Sequence, residues 1–152
     1  MLVTNHVLSG ALIGAAAERP DAAFAVGVAS HFVLDAIPHL GEWSSDRHFL
    51  RVAAADGLTG LAVIGLLAAA TPPSRRLSVL AGMAGAALPD IDKPTRLWFG
   101  KSPWPAAVNK FHSAIQNEAP GRFWVELTAA GCFTAGFGLA LRGMRKKAGK
   151  QN

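Results

Sequence analysis

The sequence predicts an all-α fold, a compact bundle of about five or six helices that is embedded in a membrane or associated with one. Apolar stretches recur along the 152 residues without the strict polar–apolar alternation of half-buried strands. Hydrophobic residues make up 51% of the chain and charged residues only 16%, below the usual charged share of about 25%. The length suits one domain, so we expect residues 1–152 to form a single unit that ends in a basic tail, 141–152.

Five apolar stretches are the predicted helices, and turn or charge signals separate them. Asp21 is expected to cap the second helix and Ser74 the fourth. Pro38 is expected to end the second helix near Ile37, because a proline disfavours helix at the residue before it. A further short helix is predicted near 104–117. The five stretches are 7–17, 22–37, 52–71, 77–89 and 124–141.

Two segments, 57–71 and 124–141, approach the roughly 20 apolar residues that a membrane-spanning helix needs. The basic tail favours a cytoplasmic position beside anionic membrane lipid, with a solvated surface tail as an equal alternative. Arg75 and Arg76 also fit a cytoplasmic loop. The loop 90–123 would then lie on the opposite side of the membrane, although it too is basic. The distribution of positive charge therefore leaves the membrane topology open. Nucleic acid is not expected as a partner, because no binding motif adjoins the basic tail.

Cys132 is the single cysteine of the sequence. It therefore cannot form an intramolecular disulfide, and no cysteine-based zinc cluster is possible. We expect Cys132 to be a small buried residue, because it lies among alanines and glycines of an apolar helix.

His31 and Asp35 lie in the apolar segment SHFVLDAIPHL and are the first candidates for a functional site. They are four positions apart and so share one face of a helix. One imidazole and one carboxylate in this arrangement can hold a divalent metal ion. A buried, hydrogen-bonded ion pair explains the two residues equally well. His39 follows Pro38, and the sequence leaves open whether it returns toward the pair or points away.

Other ionisable residues also lie within apolar segments or at their ends. Within a membrane such groups are costly and indicate a functional site by default. Each has an ordinary alternative: Asp56 as a helix cap, Asp90 and Asp92 as a turn, His6 as an interfacial residue and His112 as a surface residue. Together, histidines and aspartates without cysteine favour zinc or another divalent ion, with two ions bridged by a carboxylate as a variant.

Four segments of the chain resemble the YdjM-type family of bacterial inner-membrane-associated, metal-dependent hydrolases. The segments are NHVLSGALIG, ASHFVLDAIPH, GMAGAALPDID and FHS, and they span residues about 5 to 113. The second and third are the most specific. The late motif of the family often holds two histidines, whereas this chain offers only His112. The family is also distantly similar to zinc-dependent phospholipase C, which implies phosphoester chemistry by analogy.

The resemblance implies a bacterial inner-membrane hydrolase that holds one or two divalent ions, zinc first. A water molecule activated by the metal would attack a lipid or lipid-linked phosphoester. Asp56 and Asp92 are the expected catalytic positions, and Lys93, Arg96 or Lys110 would neutralise phosphate charge. The expected metal ligands, some of them in outer positions, are His6, His31, Asp35, His39, Asp90 and His112.

Two other functions stay open on the sequence. One is a non-catalytic helical membrane protein whose histidines and aspartates tie helices together or bind a metal or a protein partner. The other is a metal-transport module. The oligomeric state is also left open.

Overall fold

The computed structural model describes residues 1–41 and 44–150, and these residues form the predicted all-α fold. A 3₁₀-helix, Leu88–Ile91, joins two of the α-helices, and two short strands, β1 (His39–Leu40) and β2 (Glu118–Ala119), pair in parallel. The α-helices are α1 (Val3–Ala16), α2 (Pro20–Ala36), α3 (Asp46–Ala70), α4 (Pro73–Ala87), α5 (Asp92–Phe99), α6 (Ala106–Ile115) and α7 (Phe123–Ala148).

Helix α1 lies at the centre of the bundle and packs against α2, α3, α4 and α7. Glycines allow the closest approach, at the crossings of α4 with α1 and α2. A Cβ atom at Gly82 of α4 would overlap the Gly10 carbonyl oxygen of α1. A Cβ at Gly27 of α2 would lie 2.5 Å from the Gly82 carbonyl oxygen. The same packing brings the rings of His6 on α1 and His31 on α2 to a centroid distance of 3.9 Å.

Helices α3 and α7 are each long and apolar enough to cross a membrane. Both expose large apolar side chains: Leu58 and Leu61 of α3 are 70% and 66% exposed, and Leu139 of α7 is 67% exposed. Exposed apolar surface on this scale fits contact with lipid better than contact with water. The prediction that Cys132 is buried is wrong, because its position on α7 is exposed.

Helix ends show where local sequence signals succeed. Helix α2 ends at Ala36 with Ile37 in an extended conformation, as Pro38 predicts, and α6 matches the short helix predicted near 104–117. The predicted caps are wrong: no side chain caps α2 or α4, and the residues preceding these helices are Arg19 and Pro72.

Helix α3 begins six residues earlier than the apolar pattern indicates. The Ser45 hydroxyl accepts a hydrogen bond from the His48 backbone nitrogen at 3.2 Å and so caps the first turn. The first turn of α3 is polar and is stabilised by this cap. Apolar periodicity, by which the helix is predicted, therefore does not detect it.

Candidate metal centre

Four of the predicted metal ligands come together in one buried group, which we call the four-ligand cluster. Its members are His31 and Asp35 of α2, Asp90 of the 3₁₀-helix and His112 of α6. One ligand atom from each lies within 4.8 Å of the ligand atoms of the other three. Four such residues are close enough to bind a metal ion.

Asp35 is at the centre of this arrangement, and its side chain is fully buried. Its Oδ2 atom lies 2.9 Å from His112 Nε2 and 3.2 Å from His31 Nε2. Its Oδ1 atom lies 3.1 Å from His6 Nε2 and 2.5 Å from the amino nitrogen of Met1. The two carboxylate oxygens of Asp35 therefore contact different sets of neighbours.

Asp90 supplies the second carboxylate of the four-ligand cluster. Its Oδ1 atom lies 3.6 Å from His31 Nε2 and 3.7 Å from His112 Nε2. These two histidine nitrogens are 3.1 Å apart. Ligand atoms bound at about 2.0–2.2 Å to a tetrahedral ion lie about 3.3–3.6 Å from one another. The spacing in the cluster is therefore close to that of a metal site.

The hydrogen bonding of His31 supports the same assignment. Its Nδ1 atom donates a hydrogen bond to the Ala86 carbonyl oxygen at 2.8 Å, so in the neutral ring the Nε2 atom carries a lone pair. That lone pair faces His112 Nε2 and an oxygen of Asp35. Buried acceptors that face one another need a cation or additional protons between them. A backbone hydrogen bond on the far nitrogen is also how metal-binding histidines are usually oriented.

Burial and neighbouring charges set the ionisation of the site. Burial lowers the pKa of His6 to about 4, so this ring is neutral at pH 7. Burial acts to raise the pKa of Asp35, but its close contacts with the rings of His112, His31 and His6 hold it below its usual range. Burial likewise acts to raise the pKa of Asp90, and the charge of Lys93 keeps it low. Both aspartates are therefore ionised and able to bind a cation.

His39 returns toward the cluster, which decides the alternative that the sequence leaves open. The β1–β2 pairing places it there, since the His39 backbone nitrogen donates to the Asn117 carbonyl oxygen at 3.0 Å. Its Nδ1 atom donates a hydrogen bond to the Ile37 carbonyl oxygen at 2.8 Å. Its Nε2 atom points inward, 4.0 Å from Asp35 Oδ1 and 3.7 Å from Glu118 Oε1.

The two predicted catalytic aspartates lie outside the four-ligand cluster. The Asp56 carboxylate of α3 accepts hydrogen bonds from the backbone nitrogens of Val3 at 2.6 Å and Thr4 at 3.1 Å. It therefore caps the start of α1. The alternative prediction that Asp56 caps the helix after it is wrong, because Asp56 lies within α3 itself. Asp92 begins α5, and its Oδ2 atom lies 3.3 Å from Arg96 Nε.

Of the predicted phosphate-binding cations, Lys93 lies at the cluster. Its Nζ atom is 2.9 Å from Asp90 Oδ1, and its side chain is 34% exposed. Burial acts to lower the pKa of Lys93, but the adjacent Asp90 carboxylate raises it above the usual value. Lys93 is therefore a charged ammonium group that reaches both the cluster and solvent-accessible space.

The sequence pattern does not identify two glutamates that lie near the site. Glu126 of α7 is buried, and its carboxylate accepts hydrogen bonds from Asn5 Nδ2 at 2.6 Å and the Leu40 backbone nitrogen at 3.2 Å. It ties α1 and β1 to α7. A single acidic residue in the apolar run FWVELTAA is the signal that could have identified it. Glu118 lies in the polar loop NEAPGR, where nothing local distinguishes it.

An apolar cavity of about 880 Å³ adjoins the four-ligand cluster. Asp90, Lys93 and Glu118 form its polar end. Most of the remaining wall consists of apolar side chains from α1, α3, α5 and the 3₁₀-helix, including Val7, Leu61, Ile64, Leu88, Ile91 and Leu97. Asp56 also lies in the wall. The cavity, called the apolar cavity below, thus has a charged end and a hydrocarbon-like interior.

Comparisons with protein-family models, with curated proteins and with solved structures found no match to this chain. The resemblance to the YdjM-type family therefore stays a prediction.

Proposed function

We propose that this protein is a membrane-bound, metal-dependent hydrolase that cleaves a phosphoester of a lipid or a lipid-linked molecule. One observation carries the proposal: the four-ligand cluster stands at the polar end of the apolar cavity, with Asp90 belonging to both. A metal site at the end of a hydrocarbon-lined cavity suits an amphiphilic substrate whose charged group carries the scissile bond.

The four-ligand cluster supplies two imidazole nitrogens and two carboxylates for the ion. This donor set suits zinc or another borderline divalent ion. When bound, such an ion supplies an activated water molecule and polarises a phosphoryl oxygen. The cluster residues hold the ion in place, and the hydrogen bond from His31 to the Ala86 carbonyl oxygen fixes the orientation of that ring.

Lys93 is the residue of the chain best placed to bind the phosphate. Its ammonium group lies beside Asp90 at the polar end of the apolar cavity and is partly open to solvent. A positive group in this position stabilises negative charge on phosphoryl oxygens, and more so where the surroundings are apolar. Movement of the flexible lysine side chain from Asp90 to the substrate would also free that carboxylate for the ion.

The surface of α3 and α7 supports the membrane part of the proposal. Both helices expose apolar side chains along lengths sufficient to cross a bilayer, and α3 forms one wall of the apolar cavity through Leu61 and Ile64. A lipid tail could therefore enter the cavity from the bilayer. The basic residues at the end of α7 would contact anionic lipid headgroups, as at the inner face of a bacterial cytoplasmic membrane.

The test is hydrolysis by the protein purified in detergent. Phosphatidic acid in mixed micelles and a water-soluble aryl phosphate are compared as substrates, before and after removal of metal by a chelator and return of Zn²⁺ or Mn²⁺. We expect metal-dependent release of phosphate, with the lipid preferred. The variant Asp35→Asn should lose this activity. Asp21→Asn, which changes an exposed aspartate on the same helix, is the matched control and should retain it.

Two results would contradict the proposal. Protein that binds metal but releases no product from a panel of lipid phosphomonoesters and phosphodiesters favours a metal-binding or metal-transport role. Protein that holds no stoichiometric metal favours the alternative in which the histidines and aspartates only tie the helices together.

A further inference from the structure

We infer that the chain has a second divalent-cation site on the other side of Asp35, formed by His39 Nε2, Glu118 Oε1, Asp35 Oδ1 and His6 Nε2. This inference rests on the proposed metal-dependent function, since it extends the same centre to two ions. It adds Glu118, a residue with no local sequence signal, to the ligands.

His39 provides the first observation. Its side chain is fully buried, and its Nδ1 atom donates to the Ile37 carbonyl oxygen. Its Nε2 atom therefore carries a lone pair in the neutral ring. Within residues 1–41 and 44–150, this buried nitrogen has no hydrogen-bond partner. A buried acceptor without a donor is unfavourable, and a cation in front of it removes the penalty.

The distances around His39 Nε2 provide the second observation. Glu118 Oε1 lies 3.7 Å away and Asp35 Oδ1 4.0 Å away. Atoms that share an ion at about 2.0–2.2 Å lie about 3.3–4.2 Å apart, depending on the angle between the bonds. His6 Nε2 lies 3.1 Å from the same Asp35 oxygen. His39 Nε2 thus lies near two carboxylates, and Asp35 Oδ1 lies near two histidine nitrogens; the same Asp35 oxygen accepts a hydrogen bond from the amino nitrogen of Met1.

Asp35 is suited to bridge two ions because its oxygens face in different directions. Oδ2 contacts His31 and His112 of the four-ligand cluster, and Oδ1 contacts His6 and faces His39. One carboxylate shared in this way holds two ions about 3.5–4 Å apart, the separation used by two-metal phosphoesterases.

The fold holds Glu118 in position for this role. The β1–β2 pairing sets His39 opposite Glu118, and the Gly41 backbone nitrogen donates to the Ala119 carbonyl oxygen at 3.3 Å. A Cβ atom at Gly41 would overlap the Glu118 side chain. The space that Glu118 needs beside β1 therefore exists because residue 41 is glycine.

The experiment is to count bound ions. Metal-free protein in detergent is dialysed against Zn²⁺, and zinc per chain is measured by mass spectrometry. We expect two ions for the wild type, one for Glu118→Gln, one for Asp90→Asn and none for Asp35→Asn. Glu18→Gln, at an exposed glutamate between α1 and α2, is the matched control and should retain two. With Mn²⁺, electron paramagnetic resonance should show a spin-coupled pair in the wild type and uncoupled ions in Glu118→Gln.

The outcomes separate this inference from the proposed function. One ion in the wild type, with lipid phosphoester hydrolysis intact, overturns the second site and leaves the function standing. Two ions without hydrolysis support the second site and count against the function. Two ions in Glu118→Gln show that Glu118 is not a ligand. If Glu118→Gln does not fold, as judged by circular dichroism, the wild-type stoichiometry and the Mn²⁺ coupling decide the question.

Discussion

The two ends of the helical bundle differ in what their charged side chains contact. At one end, called the basic end, arginines donate to carbonyl oxygens at the C-terminal ends of helices. Arg75 donates to the Ala15 and Ala17 carbonyl oxygens, and Arg145 donates to the Ala70 carbonyl oxygen at 2.9 Å. These oxygens lack partners within a helix, and the helix dipole makes them attract positive charge. The charges at the basic end are thus satisfied by the backbone of the fold.

At the other end, the histidines and aspartates of the candidate metal centre face mainly one another. Asp35 contacts the rings of three histidines, and His39 Nε2 points at two carboxylates. The backbone orients His31 and His39 through their far nitrogens and leaves the near nitrogens free for a ligand. At the basic end, the charged groups themselves bond to the backbone and stabilise the fold. At the candidate metal centre, the backbone binds only the far nitrogen of each of these two histidines, so the other nitrogen faces the neighbouring carboxylates.

The largest effect should follow from Asp35→Ala. This change removes both carboxylate oxygens around which the proposed ions are placed, and with them the carboxylate that contacts three buried histidines. We expect the lipid phosphatase activity to fall further than the roughly 10- to 100-fold loss typical of an outer ligand, together with loss of bound metal. Steady-state kinetics and metal analysis measure both. Activity within 10-fold of the wild type would remove Asp35 from the site.

Lys93→Met should reduce activity while sparing metal binding. The lysine neutralises Asp90 in the absence of substrate and, on the proposal, contacts the phosphate. We expect kcat/KM to fall by roughly 10²-fold, with zinc affinity unchanged or higher because a competing positive charge is removed. Calorimetric titration with Zn²⁺ tests the second part. Weaker zinc binding would mean that Lys93 supports the centre structurally.

Gly82→Ala should disrupt the packing that connects the two ends. The added methyl group would overlap the Gly10 carbonyl oxygen where α1 crosses α4. We expect the free energy of unfolding to fall by about 1–3 kcal/mol, measured by denaturant titration in detergent. Gly65→Ala is the control, because a Cβ there meets nothing within 4 Å among the described residues. Equal stability of the two variants would contradict the close crossing.

Arg75→Ala should give the smallest effect and one confined to stability. It removes two hydrogen bonds to the end of α1, which we expect to cost about 1–2 kcal/mol. Metal content and kcat should stay at wild-type values, because the basic end is separate from the centre. Arg19→Ala, at an exposed ion pair, should leave the stability nearly unchanged. A loss of metal from Arg75→Ala would show that the two ends are coupled.

How far the sequence predicts the centre depends on whether the signal is local. The spacing of His31 and Asp35 identifies them because both lie on one helix. The sequence could not place His39 inside or outside the site. Its position depends on the pairing of β1 with β2, which the local sequence pattern does not reveal. Asp56 was interpreted within its own helix, whereas its carboxylate caps α1 across a tertiary contact.

The fold was more predictable than the site for the same reason. Apolar runs and turn residues predicted the all-α bundle and the end of α2 at Pro38. Burial was less predictable for the two helices that are long and apolar enough to cross a membrane. Cys132 is exposed on an apolar helix, a position that composition alone assigns to a protein interior.

The pairing of β1 with β2 also sets an order of assembly. His31 and His112 are 81 positions apart, and Glu118 is brought beside His39 only by this short ladder. During synthesis, α1, α2 and α4 can pack before the later part of the chain is made. The nascent bundle then contains His6, His31, Asp35 and His39 but lacks Asp90, His112 and Glu118. On the proposed function, metal would therefore be bound only after α6 and β2 have been synthesised, and a truncated product would be inert rather than partly active.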